Sequence, residues 1–149
     1  MVRKSLWSLF LAILFAAPLT AQAAPTRVPP PPKLDYDSLA FGRQLTQWFL
    51  YAEVDSLWAH SDTSLQSAFG GNKEVWADQI AQFAMQLGQE TALVEERWVQ
   101  RLGNRQYWRM MKLTESGEPI ALRWVLRPGK KTSGYGINPV SQLPPVDPQ

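Results

Sequence analysis

His60 has the widest chemical reach of any side chain in this sequence, and it is the only histidine. Triads and metal centres built on several histidines are therefore excluded. The chain has no cysteine, which removes disulfides, thiolate metal sites, thiol nucleophiles and lipid attachment through sulfur. His60-Ser61-Asp62 sets a base, a hydroxyl and a carboxylate side by side. Adjacent residues of a helix point in different directions, so nucleophile and base would not face each other, and a surface or capping cluster is the ordinary reading. His60 alone, with an unperturbed pKa of about 6.5, suits a general base in a pocket beside an acid.

The carboxylates are less promising. Glu95-Glu96 looks like a catalytic pair, but neighbours on a strand point to opposite faces and cannot share a substrate. Asp35 and Asp37 stand next to a proline-rich segment, where helix capping or solvation is expected. Gly70-Gly71-Asn72-Lys73 opens a helix, yet it lacks the preceding strand and the glycine spacing of a phosphate loop. No cofactor and no metal is implied.

Aromatic and cationic residues offer binding instead of catalysis. Beyond the N-terminal leader, tryptophans stand at 48, 58, 76, 98, 108 and 124. Trp48, Trp58, Trp98, Trp108 and Trp124 either fill a core or line a cleft for a flat or sugar-like ligand, with indole N–H groups giving direction. Arginines recur at 97, 101, 105, 109, 123 and 127. Residues 24–96 carry a net charge of −6 and residues 97–149 a net charge of +6. Such a split suits an acidic partner or a second copy docked on the sheet. Bulk charge gives no reason to expect nucleic-acid binding: without Arg3 and Lys4 the two signs are equal.

The elements that must position these residues follow from spacing. Ser38 is read as the N-cap of a helix to Ala52, with Phe41, Leu45, Trp48 and Ala52 on one face. After a turn at Glu53-Val54, Asp55 caps a short second helix, and Thr63–Phe69 forms a third ending at Gly70-Gly71. Asn72 caps a longer helix in which Trp76, Ile80, Phe83 and Leu87 should be buried, and Gly88 ends it. Strands are predicted at Thr91–Leu102, Arg105–Leu113 and Ile120–Arg127, with a short fourth at Thr132–Ile137. Helices first and an antiparallel meander second make an α+β fold, its helices packed on a curved sheet of three to four strands. Alternation then puts Trp98, Trp108 and Trp124 against the helices, and the six arginines on the other face. Glu96, Gln100 and Lys112 intrude on the apolar side, which signals a bulge or a polar pocket.

This order of elements resembles the nuclear-transport-factor-two-like cone, also called the cystatin-like α+β fold, and within it a group of bacterial domains of unknown function. The resemblance is carried by Phe49-Leu50-Tyr51-Ala52-Glu53-Val54-Asp55-Ser56-Leu57-Trp58, by Leu87-Gly88, and by Gly134-Tyr135-Gly136-Ile137-Asn138-Pro139. It implies a cone with a pocket between helices and sheet, and it brings no catalytic motif.

Residues 1–23 read as a secretory signal: Arg3 and Lys4, an apolar run from Leu6 to Ala17, then Ala21-Gln22-Ala23. The twelve residues of that run cover roughly 18 Å of a bilayer core about 30 Å thick, too little for an anchor. Cleavage there leaves no further run able to span a membrane, and places the chain in the bacterial periplasm or outside the cell. Proline-rich segments at 24–34 and 141–149 bracket a domain at 35–140 and read as linker and tail. The function expected is an exported, non-catalytic binding or interaction domain, partnered by an envelope protein or by a second copy through the sheet. The alternative is a small cyclase- or isomerase-like enzyme using His60 as general base.

Overall fold

The computed structural model describes residues 30–148. The leader at 1–23 and the first part of the proline-rich segment lie outside the described residues. Among the described residues four α-helices come first: α1 (Ser38–Leu50), α2 (Val54–His60), α3 (Thr63–Ala68) and α4 (Lys73–Leu87). Four strands follow: β1 (Glu90–Arg101), β2 (Asn104–Leu113), β3 (Ile120–Arg127) and β4 (Lys131–Pro139). They form one antiparallel sheet in the order β1-β2-β3-β4. The class is α+β, as the sequence suggests. Among the described residues no helix is long and apolar enough to cross a membrane.

Helix α1 is the hinge between sequence and site. Its N-cap is Asp37, not Ser38: the Asp37 carboxylate accepts from the N–H groups of Leu39 (2.9 Å) and Ala40 (3.2 Å). Phe41, Leu45 and Phe49 step by four and are buried; this, rather than Trp48, completes the inward stripe. Trp48 therefore stands on the flank of the helix. Gly42 lets α1 lie directly on β2, because a Cβ at that position would come within 2.1 Å of the Tyr107 ring. Helix α2 starts at Val54 after Glu53, which makes no side-chain cap. Asp62 and Asn72 cap α3 and α4 through their side chains. Helix α4 buries Trp76 and Ile80 completely, whereas Phe83 and Leu87 are only partly covered. At its end Gly88 takes a φ of 73°, and a side chain there would also meet Thr114 Oγ1.

The core lies between the helices and one face of the sheet. Trp76, Tyr107, Trp124, Phe49, Leu122 and Leu126 fill it, and Leu34, from the end of the proline-rich segment, joins them. Strand β3, and β1 from Glu95 onward, alternate as expected: Trp98 and Trp124 lie on the helix side, and Arg97, Arg101, Arg123 and Arg127 on the other. Strand β2 is inverted relative to the expectation. Trp98 opposes Tyr107 and Trp124 opposes Tyr107 across the sheet, so Tyr107, Met111 and with them Arg105 and Arg109 face the helices. Trp108 faces away, opposite Arg97 on one side and Arg123 on the other. The two-residue turn Leu102-Gly103 sets this register and overrides the apolar count.

The C-terminal segment is anchored rather than trailing. Val140 N–H donates to Pro119 O at the foot of β3 (2.9 Å). At the opposite corner Arg101 Nε donates to Pro145 O (3.1 Å), and the Asp147 carboxylate accepts from Leu102 and Gly103 N–H (2.9 Å each). Residues 140–147 thus run diagonally from the end of β4 to the β1–β2 turn.

Candidate functional site

Two clefts flank α1, one on each side of its buried stripe. The larger, about 670 Å³, opens beside Trp48 and His60. Three segments build it: Asp35-Tyr36-Asp37 before α1, one flank of α1 with Ala40, Phe41, Gln44 and Trp48, and His60 at the end of α2. Lys130, on the β3–β4 turn, stands at its rim.

His60 is held in a defined tautomer. Its Nδ1 lies 2.8 Å from Ser56 O, one helical turn back. A carbonyl oxygen only accepts, so Nδ1 carries a proton and donates, and Nε2 is the ring nitrogen left for a further hydrogen bond. The imidazole lies 4.6 Å from the Trp48 ring at 35° and 5.7 Å from the Phe41 ring at 50°. Tyr36 meets Phe41 edge-on at 5.1 Å, and its hydroxyl donates to Arg127 O at 2.7 Å. Burial pushes the Tyr36 phenol up to about 12, so it stays a neutral donor. Asp35 accepts weakly from Gly129 N–H at 3.4 Å, and Asp37 is occupied by the helix cap. The wall is therefore aromatic, and its rim carries an imidazole acceptor, a carboxylate, an amide and an ammonium.

The neighbours of His60 do not join it. Ser61 Oγ donates to Leu57 O (2.8 Å), and Asp62 accepts from Leu65 N–H (3.0 Å) as the cap of α3. The adjacent base, hydroxyl and carboxylate are thus three separate local devices.

The second cleft, about 260 Å³, lies between the other flank of α1 and the sheet, with Arg43 and Arg109 on its wall. Its charges satisfy one another. Arg109 donates to Glu90 through Nε (2.9 Å) and Nη2 (2.7 Å), and to Glu96 through Nη1 (3.0 Å). Arg43 Nε reaches both oxygens of Glu96 (2.9 and 3.0 Å), its Nη2 contacts the same carboxylate, and Tyr107 Oη adds a 2.9 Å bond. The Arg43 hydrogen bond, followed by that of Tyr107, holds the Glu96 carboxyl below the usual range against the opposing effect of burial. The Glu90 contact pushes the Arg109 guanidinium up.

The other sequence-designated residues separate. Trp58 packs at 5.8 Å on Trp76, and Trp124 donates from Nε1 to Thr46 Oγ1 at 3.1 Å within the core. Trp108, 1% exposed, lies on the face away from the helices with Arg97 and Arg123 at 5.8 and 5.6 Å from its ring. Trp98 is half exposed on β1, with the Arg105 guanidinium 4.2 Å over its ring. Arg123 donates to Asn138 Oδ1 (3.1 and 2.7 Å), and Arg127 to Ser133 and Asn104. The five tryptophans therefore form no common cleft, and the six arginines no common face. Only Trp48 lines the large cleft. Tyr36, Gln44 and Lys130 carry no sequence signal for the cleft, and Phe41 reads from sequence only as part of the apolar face of α1. Among the described residues no group of acidic residues and histidine could hold a metal ion.

Comparison with family models, with curated proteins and with solved structures finds no match to this chain.

Proposed function

We propose that the chain is an exported, non-catalytic binding domain that seats a sugar-like or other flat, hydroxylated ring in the cleft walled by Trp48 and His60. The observation that carries this reading is the tilted indole–imidazole pair beside an open volume of about 670 Å³. A ring lays its apolar face on an aromatic wall, while its hydroxyls reach polar groups at the edge. His60 Nε2 accepts from one hydroxyl, Asp35 accepts from another, and the Gln44 amide serves either way. Export rests on Arg3-Lys4, the apolar run and Ala21-Gln22-Ala23, and puts the domain in the bacterial periplasm or the medium.

Two measurements test it. The secreted chain should have an intact mass beginning at Ala24; a membrane-bound chain retaining Met1 overturns export. Titration with maltotriose, cellotriose and chitotriose, followed by calorimetry and tryptophan fluorescence, should give a saturable response with at least one probe. Trp48→Ala should abolish that response and Trp98→Ala should keep it. No response to any probe, or an unchanged response in Trp48→Ala, overturns the site.

The second reading, a general base for enolisation, is favoured by the Nδ1 bond to Ser56 O, which leaves Nε2 free to take a proton. It expects α-proton exchange of a cyclic ketone in deuterated water, lost in His60→Ala. The absence of such exchange overturns this second reading.

A further inference from the structure

The β1 edge carries a second site, independent of the cleft. Strand β1 has twelve residues and ends the sheet, hydrogen-bonded along one side to β2. Leu93, Val94 and Trp98 on it are about half exposed, at 47%, 50% and 46%. An open strand edge is a template for pairing with another strand, and the charges of Glu95, Glu96 and Arg97 and the register shift between Leu93 and Glu95 blunt it against any partner that does not match them. Among the described residues the C-terminal segment meets this edge at its far end, where Asp147 N–H donates to Gln100 O, and no backbone hydrogen bond reaches the outer side of Leu93–Trp98.

The residues of that stretch complement themselves. Antiparallel pairing about a two-fold axis at Glu96 sets Glu95 opposite Arg97 of the second copy, and Arg97 opposite its Glu95. The same register sets Val94 opposite Trp98, twice. Faces agree as well as types. Glu95 opposes Met110 and Arg97 opposes Trp108 on β2, so both charges lie on the face away from the helices. They are already 3.2 Å apart within one chain, and the copy would close a ring of four alternating charges. Trp98 opposes Tyr107 on the helix side. The register shift between Leu93 and Glu95 leaves Val94 as the extra residue of a bulge, next to Leu93, which shares the helix side with Trp98 through Met111 and Tyr107. Glu96, on the axis, meets its own copy already neutralised by Arg43 and Arg109.

We infer that β1 is a homodimer interface, in which two copies pair edge to edge and the two sheets become one of eight strands. The contact is isologous, as a two-fold axis requires, and it closes on itself without propagating. A strand from a different protein would need the same charge order reversed in direction; this chain supplies it to itself. The pairing is a route of strand addition in which main-chain bonds give affinity and the Glu95–Arg97 and Val94–Trp98 pairs fix register.

The test is sedimentation velocity over a concentration series of the chain from Ala24, with far-UV circular dichroism as a check on folding. The wild type should dimerise, and added salt should weaken the dimer. Arg97→Glu places like charges opposite each other at both ends of the ring and should weaken the dimer at least about tenfold. Glu95→Arg should do the same. The double reversal Glu95→Arg/Arg97→Glu restores complementarity and should restore the dimer. Trp98→Lys, which leaves the charge ring untouched, should also give monomers. A wild type that stays monomeric overturns the inference and leaves the edge to a strand of another protein. A dimer that ignores both single reversals, or that the double reversal fails to restore, shows a different interface and overturns it too.

Discussion

The two clefts on either side of α1 have similar parts and opposite behaviour. The Arg43–Arg109 cleft holds the denser set of charges, yet each charged head is paired within the chain. Its groups fasten α1 and β1 to β2, and an incoming anion would have to displace Glu90 or Glu96 to reach a guanidinium. The His60 cleft holds fewer charges, and its aromatic wall faces an open volume with an imidazole acceptor at the edge. A cationic cluster marks a binding site only when its counter-charges lie outside the chain.

The sharpest way to break this contrast is to remove the centre of the paired network. Arg109→Ala leaves Glu90, Glu96 and the Tyr107 hydroxyl partly buried without their shared donor. It should cost about 3 kcal/mol in chemical denaturation. A cost below about 1 kcal/mol would show that the network is ordinary surface pairing. Next in size is Gly42→Ala. Alanine favours helix by about 1 kcal/mol, but its Cβ would overlap the Tyr107 ring. The steric effect should win, with a net loss of about 2 kcal/mol; a gain would mean that α1 can lift from β2 at no cost.

The contrast also marks how far the sequence could be read. Helices, strands and their order were legible because periods of 3.6 and 2 are strong over ten residues, and β3 was placed at Ile120–Arg127 to the residue. The faces of β2 were not, because both of its sides are mixed: Tyr107, Met111 and two arginines on one, Trp108 and Met110 beside Gln106 and Lys112 on the other. Counting apolar residues chose the wrong side. The two-residue turn was the better guide, since it obliges Trp98 to face an odd-numbered residue of β2. The ion network followed from that same inversion, and so did its consequence that Arg105 and Arg109 are no part of an open arginine face. The large cleft was legible only in part. Trp48 and His60 stood out by type, but their meeting depends on the reversal at Ala52, with φ of 53°, which folds α2 back along α1.

Acid should separate the two clefts by a smaller amount. Glu96 is held below the usual carboxylate range, first by Arg43, so the folded chain keeps it ionised where the unfolded chain would bind a proton. The stability it contributes is full above the ordinary glutamate range and is lost as pH falls through the depressed value. Denaturation midpoints below about pH 4.5 should therefore fall more steeply in the wild type than in Glu96→Gln. Equal slopes would remove Glu96 from the account of α1 docking.

The smallest expected effect on stability is at His60, and it decides what the large cleft is. His60→Phe keeps a flat ring against Trp48 and Phe41 while removing the Nδ1–Ser56 bond and the Nε2 acceptor. The lost bond is local and partly exposed, and water can replace it, so stability should change by no more than about 1 kcal/mol. Binding should respond differently. A hydroxyl that donated to Nε2 would face an apolar edge, and affinity for a responsive trisaccharide should fall about tenfold. If His60→Phe binds as tightly as the wild type, the aromatic wall alone holds the ligand, and His60 serves only to pack Trp48. If affinity falls while the denaturation curve stays in place, the imidazole is a recognition group, the reverse of Arg109, whose loss should move the curve first.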